Sequence, residues 1–126
     1  MTARYTMKVV TDFAAAHYLR GYDGPCSRLH GHNWKVEVEA CASELDEIGM
    51  GLDFAVLKSA TKALLADMDH YNLNDMAPFD RINPTAENIA AHLFRGLSER
   101  LNDQRVRISR VTIWETERAC VSYSEE

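Results

Sequence analysis

Three features of the sequence predict a two-layer α+β domain with the order strand, strand, helix, helix, strand, strand. Apolar and polar residues alternate near both ends of the chain, apolar residues recur at three- and four-residue spacing in its middle, and turn-forming residues separate these segments. Alternation is the signature of a strand with one face in a core, and the wider spacing is that of an amphipathic helix. Two consecutive central helices can both cover one face of a four-stranded antiparallel sheet. Such a sheet keeps two open edges, which proteins often hide by closing sheets into barrels, so a ring of protomers is expected.

The first strand is expected from about Arg4 to His17, with Phe13, Ala15 and His17 on one face. Gly21, Asp23, Gly24 and Pro25 form the following loop. In the second strand Trp34, Val36, Val38 and Ala40 alternate with Lys35, Glu37 and Glu39, the pattern of a half-buried antiparallel strand. Gly49-Met50-Gly51 breaks the chain, and Asp53 is placed to cap a helix with an apolar stripe of Phe54, Leu57, Thr61, Leu64, Leu65 and Met68, ending near Asp69. A loop with Asn72, Asn74, Asp75, Pro78 and Asn83-Pro84 leads to Thr85, a good N-cap, and Glu87 suits the positive end of the helix dipole. Ile89, Ala90, Leu93, Leu97 and Leu101 give this second helix its buried face as far as Asn102. Val111, Ile113 and Glu115 share a face of the third strand; Ala119, Val121 and Tyr123 share one in the fourth, with Thr116 to Arg118 as the turn.

The 126 residues, 46% hydrophobic and 26% charged, fit one globular domain over residues 1–126. A chain this short buries a modest core and gains from self-association. The net charge of -5 leaves no basic footprint for nucleic acid or an anionic membrane, so an anionic substrate must be met by local basic residues. Three cysteines without framework spacing point to a reducing compartment and free thiols, with Cys41 and Cys120 expected to be inert and buried in strands. Met1 to Tyr5 has no signal-like apolar run, and no segment has membrane-spanning length and apolarity, so a soluble, cytoplasmic protein is expected.

The chemistry concentrates in Cys26-Ser27-Arg28-Leu29-His30-Gly31-His32-Asn33. In an extended segment His30 and His32 point the same way, while Gly31 faces away and allows close backbone approach. If the strand ending at His17 pairs with the one containing His32, three imidazoles converge. Three histidines with an open fourth position suit zinc acting as a Lewis acid, whereas a structural zinc usually has four protein ligands. Cys26 as a fourth ligand would give that closed, structural alternative.

His17, Cys26-x-x-x-His30-Gly31-His32-Asn33, Leu52-Asp53-Phe54, Asp69-His70, Pro84-Thr85-x-Glu87-Asn88 and Trp114-Glu115-Thr116, in this order and over nearly the whole chain, resemble the 6-pyruvoyl-tetrahydropterin synthase family. The three-residue gap between Cys26 and His30 is most similar to the bacterial 6-carboxy-tetrahydropterin synthases of queuosine and other deazapurine biosynthesis. The resemblance implies the tunnelling fold, in which trimers close a β-barrel and two trimers stack into a hexamer. It also implies a lyase that converts 7,8-dihydroneopterin triphosphate to 6-carboxy-5,6,7,8-tetrahydropterin, acetaldehyde and triphosphate, with zinc on His17, His30 and His32. On the same ground Cys26 is the catalytic thiol, Asp69 and His70 assist it or relay a proton, and Glu115 anchors the pterin. Thr85 and Glu87 match a family motif as substrate-binding residues, although helix capping already accounts for both. The pyruvoyl reaction, which keeps all side-chain carbons, is the neighbouring alternative, and a non-catalytic pterin-binding module is the third. Arg20, Arg28, Lys35 and Arg81 are the cations nearest these motifs in sequence, and spacing does not choose among them for the triphosphate. Asp53 reads as structural, and His92, which matches no motif, as a surface or packing residue.

Overall fold

The computed structural model describes residues 3–126; Met1 and Thr2, the start of the expected domain, lie outside the described residues. Strands β1 (Tyr5–His17) and β2 (His30–Ala42) pair antiparallel, helices α1 (Phe54–Leu65) and α2 (Ala86–Leu101) follow, and β3 (Val106–Thr116) and β4 (Ala119–Tyr123) complete one sheet of order β1-β2-β3-β4. Among the described residues no helix is long and apolar enough to cross a membrane.

One face of the sheet carries Met7, Val9, Phe13, Trp34, Val36, Val38, Val111 and Ile113, all buried. Leu57 and Leu65 of α1, and Ile89, Leu93 and Leu97 of α2, close over this surface. The helices themselves approach closely at Gly96, where a Cβ would stand 3.0 Å from Leu64 Cδ1. The opposite face is polar, with the Trp114 indole donating to Glu37 Oε2 at 3.2 Å.

Both helix starts follow the sequence reading. Asp53 accepts from the Ala55 amide at 2.8 Å, and Thr85 accepts from the Asn88 amide at 3.0 Å. Four expectations need correction. Helix α1 ends at Leu65 rather than near Asp69, because the chain tightens there: the Met68 and Asp69 amides both donate to the Leu65 carbonyl. Phe54, placed in the buried stripe, is 61% exposed, since the first helical position overhangs the sheet beside Tyr5, Leu45 and Leu52. Strand β3 begins at Val106, five residues before its legible alternation, because Glu39 pairs with Arg110 but Ala40 with Ile108. Ser109 is the extra residue, and a bulge of this kind reverses the in–out phase. Cys41 is buried as expected, but Cys120 is exposed: it pairs with Trp114 on the face without helices.

Candidate metal centre and its surroundings

The register of β1 against β2 builds the site. His17 pairs with His30, and Ala15 with His32, so all three imidazoles lie on the helix-covered face, His32 one rung and His17 and His30 two rungs beyond Phe13 and Trp34. Phe13 and Trp34 stack with centroids 5.9 Å apart, and the Trp34 ring meets His17 and His32 edge-on at 4.8 and 5.1 Å. Trp34 thus forms an apolar floor under the histidines, fixed by its indole N–H donating to the Ala15 carbonyl.

The ligating nitrogens of His17, His30 and His32 lie within 4.8 Å of one another, the one such group of three among the described residues. Two backbone carbonyls set which nitrogen is free. His17 Nδ1–H donates to the Pro84 carbonyl at 2.7 Å, and His30 Nδ1–H donates to the Arg28 carbonyl at 2.7 Å. A carbonyl only accepts, so each Nδ1 carries the proton and each Nε2 keeps a lone pair, the arrangement typical of metal-ligating histidine. Nε2 of His17 and Nε2 of His32 are buried without any hydrogen-bond partner. Orphaned buried acceptors are costly, and a cation held by the imidazoles satisfies them. Burial, ahead of all other causes, lowers the pKa of both His17 and His32; the His30 ring adds to this and Glu115 opposes it. The neutral imidazole that a metal requires is therefore the favoured form. The donor set fits a divalent metal such as zinc.

Glu115, at the end of β3, places Oε2 3.9 Å from His17 Nε2 and Oε1 3.8 Å from His32 Nε2. It is one-third exposed, so it lines the site rather than the core. Cys26 is half-buried in the 3-10 turn Pro25–Ser27 and is not among the three clustered ligands. The four-ligand alternative thus finds no support in the geometry.

Asp69 and His70 stand on the outer edge of β1. Asp69 Oδ1 accepts from the Ala14 amide at 2.9 Å and stands 2.9 Å from His70 Nδ1, and the His70 amide donates to the Ala14 carbonyl. The Ala16 amide then donates to the Tyr71 carbonyl, and Asn72 forms a parallel bridge to Ala16. His70 has φ of 66°, the left-handed region that a side chain seldom adopts without a reason. Its ring is 79% exposed, and it lines a cleft of about 490 Å³ with Ala14, Ala16, His32, Asn33 and Asn72. Thr85 is occupied as a cap, and Glu87 is exposed in the first turn of α2. His92 is half-buried against the Phe79 ring at 5.3 Å, a packing residue as expected.

The Pro84 carbonyl, which orients His17, was not singled out from sequence, nor were the side-chain amides of Asn74 and Asn83, which hold the chain just after His17. The loop signal around Asn83-Pro84 was visible, but its target 67 residues away was not.

A family model described as 6-pyruvoyl tetrahydropterin synthase matches residues 6–126. A 6-carboxy-5,6,7,8-tetrahydropterin synthase of Synechocystis sp. is 41% identical over 92 residues, covering 69% of this chain and 70% of that protein. The Haemophilus influenzae protein of the same name is 33% identical, covering 90% and 94%. Among solved structures, the 6-pyruvoyl tetrahydropterin synthase of Caenorhabditis elegans superposes with a TM-score of 0.85 at 29% identity, covering 99% of this chain and 98% of that one. By its matched residues, its fold and these relatives, the chain belongs to the 6-pyruvoyl tetrahydropterin synthase family.

Proposed function

We propose that this protein is a zinc-dependent 6-carboxy-5,6,7,8-tetrahydropterin synthase. Its substrate is 7,8-dihydroneopterin triphosphate and its products are 6-carboxy-5,6,7,8-tetrahydropterin, acetaldehyde and triphosphate, with one water consumed. The observation that carries the reading is the triad of imidazoles with two Nδ1 atoms pinned and two Nε2 atoms orphaned, in a chain whose relatives at 33% and 41% identity bear that name. His17, His30 and His32 would hold the zinc, which when bound would supply Lewis-acid polarisation of the substrate's side-chain hydroxyls. Glu115 accepts paired hydrogen bonds from the pterin 2-amino group and ring N–H, as an ionised carboxylate does. Cys26 acts as the thiolate base that removes a side-chain proton. His70, whose ring lies 2.9 Å from the Asp69 carboxylate, relays that proton.

The pair covers the outer edge of β1 next to the stretch where a neighbouring subunit would add a strand, so it serves a site shared across a subunit boundary. The assembly proposed is a hexamer of two barrel-closing trimers, each chain contributing residues 1–126 as one domain, in the cytoplasm. Thr85 and Glu87, which match the family motif as substrate-binding residues, act chiefly by organising the start of α2 behind the Pro84 carbonyl.

The pyruvoyl reaction is kept as a second reading because of the structural likeness to the nematode enzyme. Incubation of zinc-loaded protein with 7,8-dihydroneopterin triphosphate, with products identified by mass spectrometry, separates the two. Carboxy-tetrahydropterin with stoichiometric acetaldehyde is the expected result. Pyruvoyl-tetrahydropterin without acetaldehyde selects the second reading, and no turnover by zinc-replete protein defeats both.

A further inference from the structure

Immediately after His17 the chain leaves the sheet, yet it stays pinned on both sides. Asn74 exchanges two hydrogen bonds with the backbone of Tyr18: the Tyr18 amide donates to Oδ1 at 2.9 Å, and Nδ2 donates to the Tyr18 carbonyl at 3.0 Å. Two residues on, Asn83 does the same for Arg20, with both bonds at 2.9 Å. Each amide reproduces what one residue of an antiparallel strand gives its partner. Leu19, between them, turns its amide the other way and donates to the Cys26 carbonyl at 2.8 Å.

Both asparagines are braced from behind. Asn74 is 4% exposed, lies next to the fully buried Leu73, and donates its own backbone amide to Asn72 Oδ1 at 3.2 Å. The Asn83 carbonyl accepts from Asn88 Nδ2 of α2 at 2.8 Å, one residue before the Pro84 carbonyl that orients His17. The loop that carries Cys26 is closed locally, by the Ser27 and Arg28 amides turning back to Gly24 and Pro25 and by the Arg28 carbonyl on His30, but on its other side residues 20–23 are exposed and Gly21 sits at φ 78°. On the side that enters from β1, the Cys26 backbone is tied to the rest of the molecule through Leu19, and Leu19 is flanked by the two clamped residues.

We infer that Asn74 and Asn83 are positioning residues that fix Cys26 relative to the histidine triad, acting as a surrogate strand for residues 18–20. The inference rests on the proposed role of Cys26. A misplacement of about 1 Å at a catalytic group is enough to cost on the order of a hundredfold in rate. Asn74→Ala is thus expected to lower kcat by roughly that factor with KM changed less than about threefold, and Asn74→Asp, which keeps the acceptor but loses the donor, by about tenfold. Zinc content should stay at the wild-type value, since none of the imidazoles or their Nδ1 partners is altered. Alkylation of Cys26 by iodoacetamide, followed on its peptide by mass spectrometry with exposed Cys120 as the internal reference, should quicken in the same order.

Asn83→Ala and Asn83→Asp repeat the comparison from the second clamp, should Asn74→Ala not fold. Folded variants whose kcat and Cys26 alkylation rates stay within about twofold of wild type overturn the inference, as does any kcat loss that tracks zinc loss. Wild-type protein without turnover defeats the functional reading instead, and the alkylation rates still decide whether the amides position the thiol.

Discussion

The helix-covered face of the sheet has two ends made by the same strands, and they solve opposite problems. Toward the start of β1 and the end of β2, Met7, Val9, Val38, Ala40 and Ala42 lie dry beneath α1 and α2, with no polar atom to satisfy. Past the Phe13–Trp34 rung the same inward positions become His17, His30 and His32, still largely buried but now carrying nitrogen lone pairs that nothing in the protomer bonds. The backbone is continuous across this boundary, so pairing alone makes both halves equally regular. What differs is the support. The apolar half is held by side chains packing on side chains, the histidine half by the nearby Arg28 carbonyl and by a carbonyl and two side-chain amides from distant loops: Pro84, Asn74 and Asn83. A site that must keep lone pairs free cannot be stabilised by filling its space, so its order is imported from outside.

Loss of a ligand should strike the histidine end hardest and spare the apolar end. His17→Ala is expected to abolish stoichiometric zinc binding and turnover while the circular dichroism spectrum persists, because the apolar half is untouched; elemental analysis of dialysed protein checks it. Cys26→Ala should retain zinc and lose about 10²- to 10⁴-fold in kcat, the usual span for a general base, and steady-state kinetics with metal analysis would read both. Trp34→Ala strikes the boundary itself and should cost about 3–5 kcal/mol in urea unfolding, since it empties a fully buried site. Zinc affinity should fall with it, as the floor under two imidazoles is lost, whereas Leu93→Ala in the apolar half should destabilise by about 2–5 kcal/mol and leave zinc affinity alone.

The smallest effect is on pH. Burial lowers the pKa of His17, His32 and His92, with Arg95 adding to the shift of His92. Their folded-state values lie below the unfolded value near 6.5, so the stability they contribute is present above that pH and is lost as pH falls below it. Urea midpoints of the metal-free protein should decline on acidification below about 6.5, and His92→Gln should make the decline shallower by the share belonging to the helix end.

The order of elements, both helix caps and the three histidines were legible because each rests on local chemistry: period-2 alternation, a side-chain oxygen before a helix, an i, i+2 pair opposite one residue at the end of a strand. The failures were of a different kind. One extra residue at Ser109 hid the start of β3, because a phase reversal looks like the end of a pattern. Cys120 is expected in the core for its residue type, although alternation puts it on the face opposite Val121, and its pairing with Trp114 shows that this face has no helices above it. The amides of Asn74 and Asn83 read as ordinary loop residues, since their partners lie 56 and 63 positions away and a side chain that imitates a strand leaves no periodicity.

The segment from Asp69 to Asn72 along β1 makes one strand edge report on two events. Outward amides at a sheet edge ordinarily exchange with solvent deuterium quickly, yet Ala14 and Ala16 donate to Asp69 and Tyr71 and should exchange slowly even in an isolated subunit. By the two-residue period of a strand, Lys8, Val10 and Asp12 present their amides to the same side, where the protomer's own loop does not reach. Slow exchange at these three positions would require a neighbouring subunit, and slow exchange at the two alanines only the chain's own fold. A single deuterium-uptake series across a dilution range would therefore time assembly and folding separately, on one strand.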